Sequence, residues 1–256
     1  MIDDRLPSNL ALLAWCAVLR RFDRDLLRTL AAPAEDDLAA LLASATLTPS
    51  ADGYVLLDEQ CAPILDHLRA EQPLAELALH TRAFELFLRR MESADDASRE
   101  ADEARCLHHL SELRDLLIER MDWRTITGYV AAVRAANPAQ ERTRRWLSFY
   151  QGYADIRIHD YDHGDPILLE LEQQPDLEPA LRIRVLHALG HTNWFQTRYD
   201  RALALYRQAH ALSRDNGDLF HQGYTLLNMS QIYNDLAQYE QALDLSLRSL
   251  ELFRTL

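Results

Sequence analysis

LRIRVLHALGHTNWFQTRYDRALALYRQAHAL, residues 181–212, and GYTLLNMSQIYNDLAQYEQALDLSLRSLELF, residues 223–253, decide the fold. The two stretches share one pattern, because Tyr199-x-x-Ala202 in the first matches Tyr239-x-x-Ala242 in the second, and the spacing is 242 − 202 = 40 residues. Each stretch holds two apolar-periodic segments of helical length separated by a short polar turn. A helical hairpin repeated at this period predicts a mainly α fold, a superhelical α-solenoid of stacked hairpins.

These hairpins resemble tetratricopeptide repeats, whose usual period is about 34 residues. That family places small residues where two helices approach closely, and Gly190 and Ala202 fit this requirement in the first copy. In the second copy Ser230 aligns with Gly190, but Ser246 and Ser249 depart from the family pattern because they are small and polar. Short side chains permit the close approach, and large apolar side chains fill the gaps that remain.

Two weaker copies of the hairpin are predicted upstream. The first covers residues 103–138, with leucines on its first helix, Trp123 on its second and Pro138 at its end. The other covers residues 144–174, with Gly164-Asp165-Pro166 expected at the turn and a short acidic second helix. The sequence therefore predicts superhelical repeats over residues 103–256.

The first 70 residues predict a different arrangement of helices and strands, that of a winged-helix-like domain. Its expected parts are helices over Pro7–Arg21, Asp23–Leu30 and Glu35–Thr46, hairpin strands at Ala45–Thr48 and Tyr54–Leu57, and a helix over Cys61–Ala70. The third helix, EDDLAALLASAT, has no basic residue. Because a DNA duplex presents one negative charge per about 1.7 Å, this helix favours protein contacts over DNA contacts.

Residues 71–102 are predicted to connect the two regions. Leu74–Arg90 is strongly apolar and is expected to form a helix. The stretch ESADDASREAD, residues 92–102, is acidic and is expected to form an exposed loop. The predicted division of the chain is thus 1–70, 71–102 and 103–256.

The order of winged helix, connecting helix and repeats is similar to the C-terminal half of STAND signalling ATPases. In that family a nucleotide-binding module precedes the winged helix, and the repeats sense an inducer. The resemblance implies an ATPase module of a parent chain in cis as a partner. That module is absent here, since a G-x-x-x-x-G-K-[ST] loop needs a lysine and the sequence has none. The last hairpin ends at Leu256, so its apolar end face is expected either to continue into further chain or to pair with another molecule.

Charge and composition exclude several classes of partner. The 256 residues carry a formal net charge of −13, which argues against binding to nucleic acid or to anionic lipid surfaces. No apolar run reaches the roughly 18 residues of a membrane span, and no signal peptide is evident. Cys16, Cys61 and Cys106 are odd in number and far apart, which predicts buried reduced thiols in a cytoplasmic protein.

The resemblance to tetratricopeptide repeats also implies a binding surface. The groove-lining positions of that family fall on eight residues taken as ligand or partner contacts, namely Arg184, His187, His191, Trp194, Tyr224, Asn228, Gln231 and Asn234. Aromatic, Arg and amide groups on one face fit recognition of a protein, a peptide or a small inducer. The alternative is that these side chains are solvated or packed and have no partner.

Three groups of residues are candidate chemical sites, and each favours a structural role. His187 and His191 have helical metal-ligand spacing but no third ligand close in sequence, and the histidines and aspartates of residues 159–165 suit a helix end. Cys106 cannot face the adjacent His108 across one helix, so it reads as a core residue. The sequence thus predicts no catalytic site, no metal and no cofactor. It favours a non-catalytic sensor module of a STAND-type regulator, or alternatively a free-standing scaffold that binds a peptide or helix.

Overall fold

The computed structural model describes residues 8–44, 46–51, 53–72, 74–93 and 96–256. The described chain is mostly helical and divides into two compact units, Met1–Asp122 and Trp123–Leu256. The predicted fold class, a mainly α chain built of helical hairpins, is therefore confirmed. The division into 1–70, 71–102 and 103–256 stays a prediction.

The first unit begins with helices and a small sheet in the predicted order. Its elements are α1 (Ser8–Leu19), β1 (Arg21–Phe22), α2 (Arg24–Ala31), α3 (Glu35–Leu42), β2 (Thr48–Ser50), β3 (Gly53–Val55) and α4 (Asp58–Glu71). Asp23 caps α2, since its carboxylate accepts a hydrogen bond from the Leu26 backbone N–H at 2.7 Å. The element order is the one expected of a winged helix, and the winged-helix assignment itself stays a prediction.

The sheet of this unit has β3 in the centre, antiparallel to both β1 and β2. The predicted β-hairpin is confirmed with shifted bounds, while Ala45 and Asp52 lie outside the described residues. Strand β1 was missed, because two residues are too short to show a pattern. Gly53 has φ of +133°, and a Cβ atom there would lie 2.4 Å from the Phe22 carbonyl oxygen, so the contact of β3 with β1 requires glycine.

The first unit ends with a hairpin of two long helices, α5 (Ala75–Ser93) and α6 (Asp96–Ile118). The prediction of an exposed acidic loop is wrong for residues 96–102, which belong to α6, whereas residues 94 and 95 lie outside the described residues. Ala, Arg and Glu are good helix formers whatever their charge, and Asp102 is buried with its carboxylate 3.2 Å from Arg105 Nη1. Helix α6 packs on α5, so it does not open a hairpin over residues 103–138 as the sequence suggested.

The second unit consists of helices stacked in consecutive pairs. They are α7 (Trp123–Ala135), α8 (Glu141–Arg157), α9 (Tyr161–Glu172), α10 (Pro179–Phe195), α11 (Tyr199–Asp215), α12 (Leu219–Asp235) and α13 (Tyr239–Phe253). Each of the hairpins α8–α9, α10–α11 and α12–α13 packs on the next, and α10 contacts both α8 and α12. We call the side of this unit formed by α8, α10 and α12 the inner face.

One turn geometry joins the helices of all three hairpins. The middle residue of each turn, His159, Thr197 or Ala237, has a left-handed backbone with φ of 65°, 58° and 58° respectively. In each turn the following N–H bonds back to a carbonyl oxygen of the preceding helix, Asp160 to Asp155 at 2.9 Å, Arg198 to Asn193 at 2.8 Å and Gln238 to Tyr233 at 2.8 Å. The hairpin over residues 144–174 is therefore built like the other two.

The turn of that hairpin lies earlier than predicted. Gly164 and Pro166 were expected at the turn, but both lie inside α9, and the turn is formed by residues 158–160. Gly164 meets a packing requirement instead, because a Cβ atom there would lie 2.8 Å from the Gly152 carbonyl oxygen of α8. Small residues at this crossing let the two helix backbones approach closely.

The three cysteines lie inside the fold. Cys16, Cys61 and Cys106 are all buried and free, as predicted. Burial raises the pKa of the Cys16 and Cys106 thiols to about 12 each. Over the part of the chain that the structure describes, no helix combines the length and the apolar character needed to cross a bilayer.

Candidate binding groove

Helix α10 presents four of the predicted site residues along one side. Arg184, His187, His191 and Trp194 are spaced by three or four residues, which places them on one helix face. The structure directs them to the neighbouring helices of the inner face. The Arg184 guanidinium lies 5.5 Å from the centre of the Trp146 ring of α8, and the other three side chains contact α8 or α12 as follows.

His187 is buried and joins α10 to α12. Its Nε2 is 2.8 Å from the Thr225 hydroxyl, its Nδ1 is 3.5 Å from the Asn228 amide nitrogen, and its ring stacks on Tyr224. Burial first, and then the charges of His221 and Arg184, lower the pKa of His187 to about 3. In this structure the polar groups of His187 and Asn228 serve helix packing, and the binding role assigned to these two residues stays a prediction.

His191 forms a polar contact with a residue that the sequence prediction left out. Its Nε2 lies 3.2 Å from Nη1 of Arg157, the last residue of α8. Burial, with a further contribution from the Arg157 charge, lowers the pKa of His191 to about 4, so the neutral ring accepts this hydrogen bond at pH 7. Within the described residues no carboxylate lies at ion-pair distance from Arg157, whose guanidinium stacks over Trp123. Exposed Phe195 packs against the His191 ring at 4.5 Å between centroids.

Trp194 forms one wall of an open groove. Its indole N–H donates to the Asp235 carboxylate at 2.7 Å, which fixes the ring between α10 and the end of α12. The groove has a volume of ≈ 510 Å³ and is lined by Trp194, Leu227, Ser230, Gln231, Asn234, Asp235, Tyr239, Ala242, Leu243 and Ser246. Three of the predicted site residues, Trp194, Gln231 and Asn234, thus meet at one cavity.

The groove exists because of a substitution between the two repeats. In the first hairpin the buried Tyr206 ring fills the space beside Gly190, where an added Cβ atom would lie 2.7 Å from the ring. Forty residues later the corresponding pair is Ser230 and Ser246, and both side chains line the groove. Two small hydroxyl side chains leave open a space that an aromatic ring occupies one repeat earlier. The departure of Ser246 from the family pattern therefore contributes to the open space of the groove.

Exposed aromatic side chains extend the inner face beyond the groove. Tyr224, another predicted site residue, is exposed and stacks on Phe220, with 6.2 Å between centroids and an interplanar angle of 13°. Phe220 is exposed as well and lies in the first turn of α12. Both rings offer apolar surface on the same helix as Gln231 and Asn234.

Three residues of this surface were absent from the predicted site: Arg157, Ser246 and Tyr239. Ser246 could have been found by aligning the two repeats, because it replaces the aromatic Tyr206 of the first copy. Nothing in the sequence indicated that Arg157 belongs to this surface, because its contact with His191 depends on the distance between α8 and α10.

The candidate metal and thiol residues have structural roles. Asp160 caps α9 by accepting from the His163 N–H, and the His163 ring bonds to buried Asp155 at 2.7 Å. Cys106 is fully buried in the first unit. In the described ranges of the chain, no three His, Cys, Asp or Glu side chains are grouped so that they could hold a metal ion.

Stacked helical hairpins with an open inner groove define a helical-repeat binding region as a class. The sequence pattern of the Tetratricopeptide repeat family matches residues 181–255, which include α10 to α13. Residues 181–255 thus match the Tetratricopeptide repeat pattern, as the sequence predicted.

Among solved structures, the chain is similar to a Signal Transduction ATPase with Numerous Domains (STAND) protein with a tetratricopeptide repeat sensor from Pyrococcus horikoshii. The likeness has a TM-score of 0.48 and 14% sequence identity, and it covers 98% of this chain but 45% of that one. The chain thus spans less than half the length of that protein. With a TM-score below 0.5, the likeness supports no conclusion about what this chain binds or does. No curated protein matches the chain by sequence.

Proposed function

We propose that the second unit binds a protein or peptide segment on its inner face and has no catalytic role of its own. Tetratricopeptide repeats generally act as protein-binding sensors or scaffolds, and the groove beside Trp194 carries the proposal. Trp194 offers an aromatic face held in place by Asp235. Binding energy at protein surfaces concentrates on such fixed aromatic anchors.

The groove has the chemistry for an extended peptide. Gln231 and Asn234 are exposed amides, each able to donate to a backbone carbonyl and accept from a backbone N–H. Leu227 and Leu243 supply apolar contacts on either side. Alternating amide and apolar positions suit a peptide whose side chains point alternately toward and away from the groove.

We further propose that the chain is the sensor part of a STAND-type regulator in the cytoplasm. The order of a small mixed unit followed by helical repeats supports it, because this is the order of the C-terminal half of such proteins. A protein, peptide or small inducer on the inner face would shift the parent, with its ATPase module in cis, between two states by binding one state more tightly. The alternative is a free-standing scaffold, and a phosphate-binding loop in the reading frame upstream of residue 1 distinguishes the two.

The groove is tested with a phage-displayed library of random peptides selected on the purified chain. Selected peptides are then titrated by fluorescence anisotropy against Gln231→Arg, which puts a long charged side chain into the groove. We expect binding to weaken at least tenfold, because the guanidinium occupies space between Trp194 and Asn234.

The matched control is Gln208→Arg, which makes the same change at an exposed position of α11 outside the groove. Binding to this variant should equal that of the unmodified chain. Peptides that bind both variants equally well would place recognition elsewhere and refute the proposal. Circular dichroism establishes that both variants keep their helical content.

A further inference from the structure

Trp194 differs from the other three tryptophans of the chain in what lies over its ring. A guanidinium carbon lies 5.4 Å from the ring centre of Trp15 and of Trp123, and 5.5 Å from that of Trp146. Within the described residues, no arginine lies over the ring of Trp194. Since the sequence has no lysine, arginine is its only permanently charged base. At the fourth tryptophan the chain itself therefore supplies no such cation.

The groove beside Trp194 is acidic. Exposed Asp235 accepts the indole N–H of Trp194 at 2.7 Å, which uses one of its two carboxylate oxygens. No basic side chain lines the groove, and over the part of the chain that the structure describes none lies at ion-pair distance from Asp235. Helices α12 and α13 together carry four carboxylates against one arginine. The groove thus combines an aromatic ring with a negative charge that the chain does not neutralise.

Two other polar side chains of the groove add hydrogen-bond acceptors. Gln231 and Asn234 are exposed, and the carbonyl oxygen of each side-chain amide can accept. A guanidinium carries five N–H donors in one plane, so it can stack on an indole ring and bond to neighbouring oxygens at the same time. An ammonium group has no flat face to stack. The ring and the acceptors of the groove therefore fit a guanidinium better than an ammonium group.

We propose that the groove binds an arginine side chain of the partner peptide, with its guanidinium over the Trp194 ring and paired with the Asp235 carboxylate. The site is that of the proposed function, on which this inference rests. Bound cations lie within about 6 Å of an aromatic ring centre, and tryptophan attracts them most strongly. A peptide is the source of the cation because Leu227 and Leu243 offer apolar contacts to the residues beside the arginine.

The first test uses peptides that bind the purified chain and lose binding to Gln231→Arg. We expect each to contain an arginine whose replacement by citrulline weakens binding about tenfold, because citrulline keeps the shape of the side chain and loses its charge. Fluorescence anisotropy measures the change. Groove-binding peptides that have no arginine, or that tolerate citrulline, overturn this inference and leave the proposed function standing.

The second test removes the charge of the groove and keeps the acceptor that holds Trp194. In Asp235→Asn the amide oxygen still accepts from the indole N–H, whereas the negative charge is lost. We expect the arginine peptides to bind about tenfold more weakly and the citrulline peptides to bind this variant and the unmodified chain equally. Asp244→Asn is the matched control, since Asp244 is exposed on α13 and does not line the groove. Equal weakening by the two variants would show a general charge effect and contradict the inference.

A third measurement needs no selected peptide. N-acetyl-arginine-methylamide is titrated to tens of millimolar into the isotope-labelled full chain, and NMR follows the indole N–H signals of the tryptophans. We expect a saturable shift of the Trp194 signal, which Trp194→Phe identifies by its loss. The shift should be much smaller in Asp235→Asn, and the citrulline analogue should leave the signal in place. A Trp194 signal that the arginine probe does not move overturns the inference even where peptides bind the groove.

The same measurements distinguish a peptide from a small guanidinium compound. We expect the peptides to bind at least tenfold more tightly than the arginine probe, because only a peptide also contacts Leu227 and Leu243. Equal affinities would make a small guanidinium compound the ligand and overturn the peptide as its source. Peptides that bind Gln231→Arg as well as the unmodified chain refute the proposed function, whereas the Trp194 signal alone decides whether the groove accepts a guanidinium.

Discussion

Single residues decide how closely the helices of the second unit approach. Gly190 of α10 lies against the buried Tyr206 ring of α11, and a Cβ atom would come within 2.7 Å of Cε1 and 2.9 Å of Cζ. The ring is held by the core around it, which includes Leu203 and Leu226. Neither the helix backbone nor the ring can move without disturbing other contacts.

Gly190→Ala should therefore destabilise the protein although alanine is the better helix former. We expect the free energy of unfolding to fall by about 1–3 kcal/mol, the usual cost of overpacking a core. Gly128→Ala is the control, because Gly128 is an exposed position of α7 with open space around it, and it should gain up to about 1 kcal/mol. Urea denaturation measures both changes, and equal stability of Gly190→Ala and the unmodified chain would disprove the clash.

The sequence predicted a small residue at 190 but not which side chain makes it necessary. It also placed His187 correctly on the inner side of α10, yet it could not show that the ring is buried. The distance between α10 and α12 is set by Thr225 and Asn228, which bond to that ring. The sequence pattern of one helix predicts on which face a side chain lies. Whether that side chain is buried depends on the neighbouring helix.

Among the elements, the α5–α6 hairpin of the first unit contains an unusual polar contact. The Nδ1 atoms of His80 and His109 lie 3.0 Å apart, and both side chains are buried. One ring donates and the other accepts, which requires the accepting ring to be neutral. Burial first, and then the nearby charges of His108, Arg20 and Arg69, lower the pKa of His80 to about 3. Burial likewise places the pKa of His109 well below its usual value.

The stability of this hairpin should decrease in acid. A histidine whose pKa is lower in the folded state binds protons first when unfolded, so the stability present above pH 6.5 is lost as pH falls toward 3. At pH 5 the loss is at most about 2 kcal/mol per histidine. The double variant His80→Leu, His109→Leu should lose less stability between pH 7 and pH 5 than the unmodified chain. Urea denaturation at both pH values tests this, and an equal loss in the two proteins would contradict it.

The helical periodicity of the apolar residues predicted α10 to α13 well. Errors arose where a segment was assigned from its amino-acid composition and not from periodicity. The acidic residues 96–102 were expected to form a loop because charge suggested exposure, but they continue a helix. Gly164 and Pro166 were expected at a turn because both disfavour helices, but Gly164 is needed for close packing on α8.

For the molecule as a whole, the boundary between the two compact units falls after Asp122. The sequence placed the start of the repeats at residue 103, inside α6. That helix belongs to the first unit, where Leu110 and Leu113 are fully buried. A chain that begins at residue 103 would therefore carry α6 without its partner α5.

Two fragments test this boundary. Residues 123–256 should give a strongly helical circular dichroism spectrum and a cooperative melt. Residues 103–256 should bind the dye ANS and elute as aggregates, because the apolar side of α6 is left open to solvent. If both fragments are equally well behaved, α6 does not depend on α5, and the boundary lies closer to the predicted one.

The three hairpins share one joint, the three-residue turn between their two helices. Since His159, Thr197 and Ala237 hold the same left-handed bend, the two helices of each hairpin are joined by the same backbone geometry. A gene that duplicates or deletes one such block changes the length of the array in whole steps and keeps the orientation of every remaining block. The number of blocks can thus vary during evolution while the geometry of each individual block is preserved.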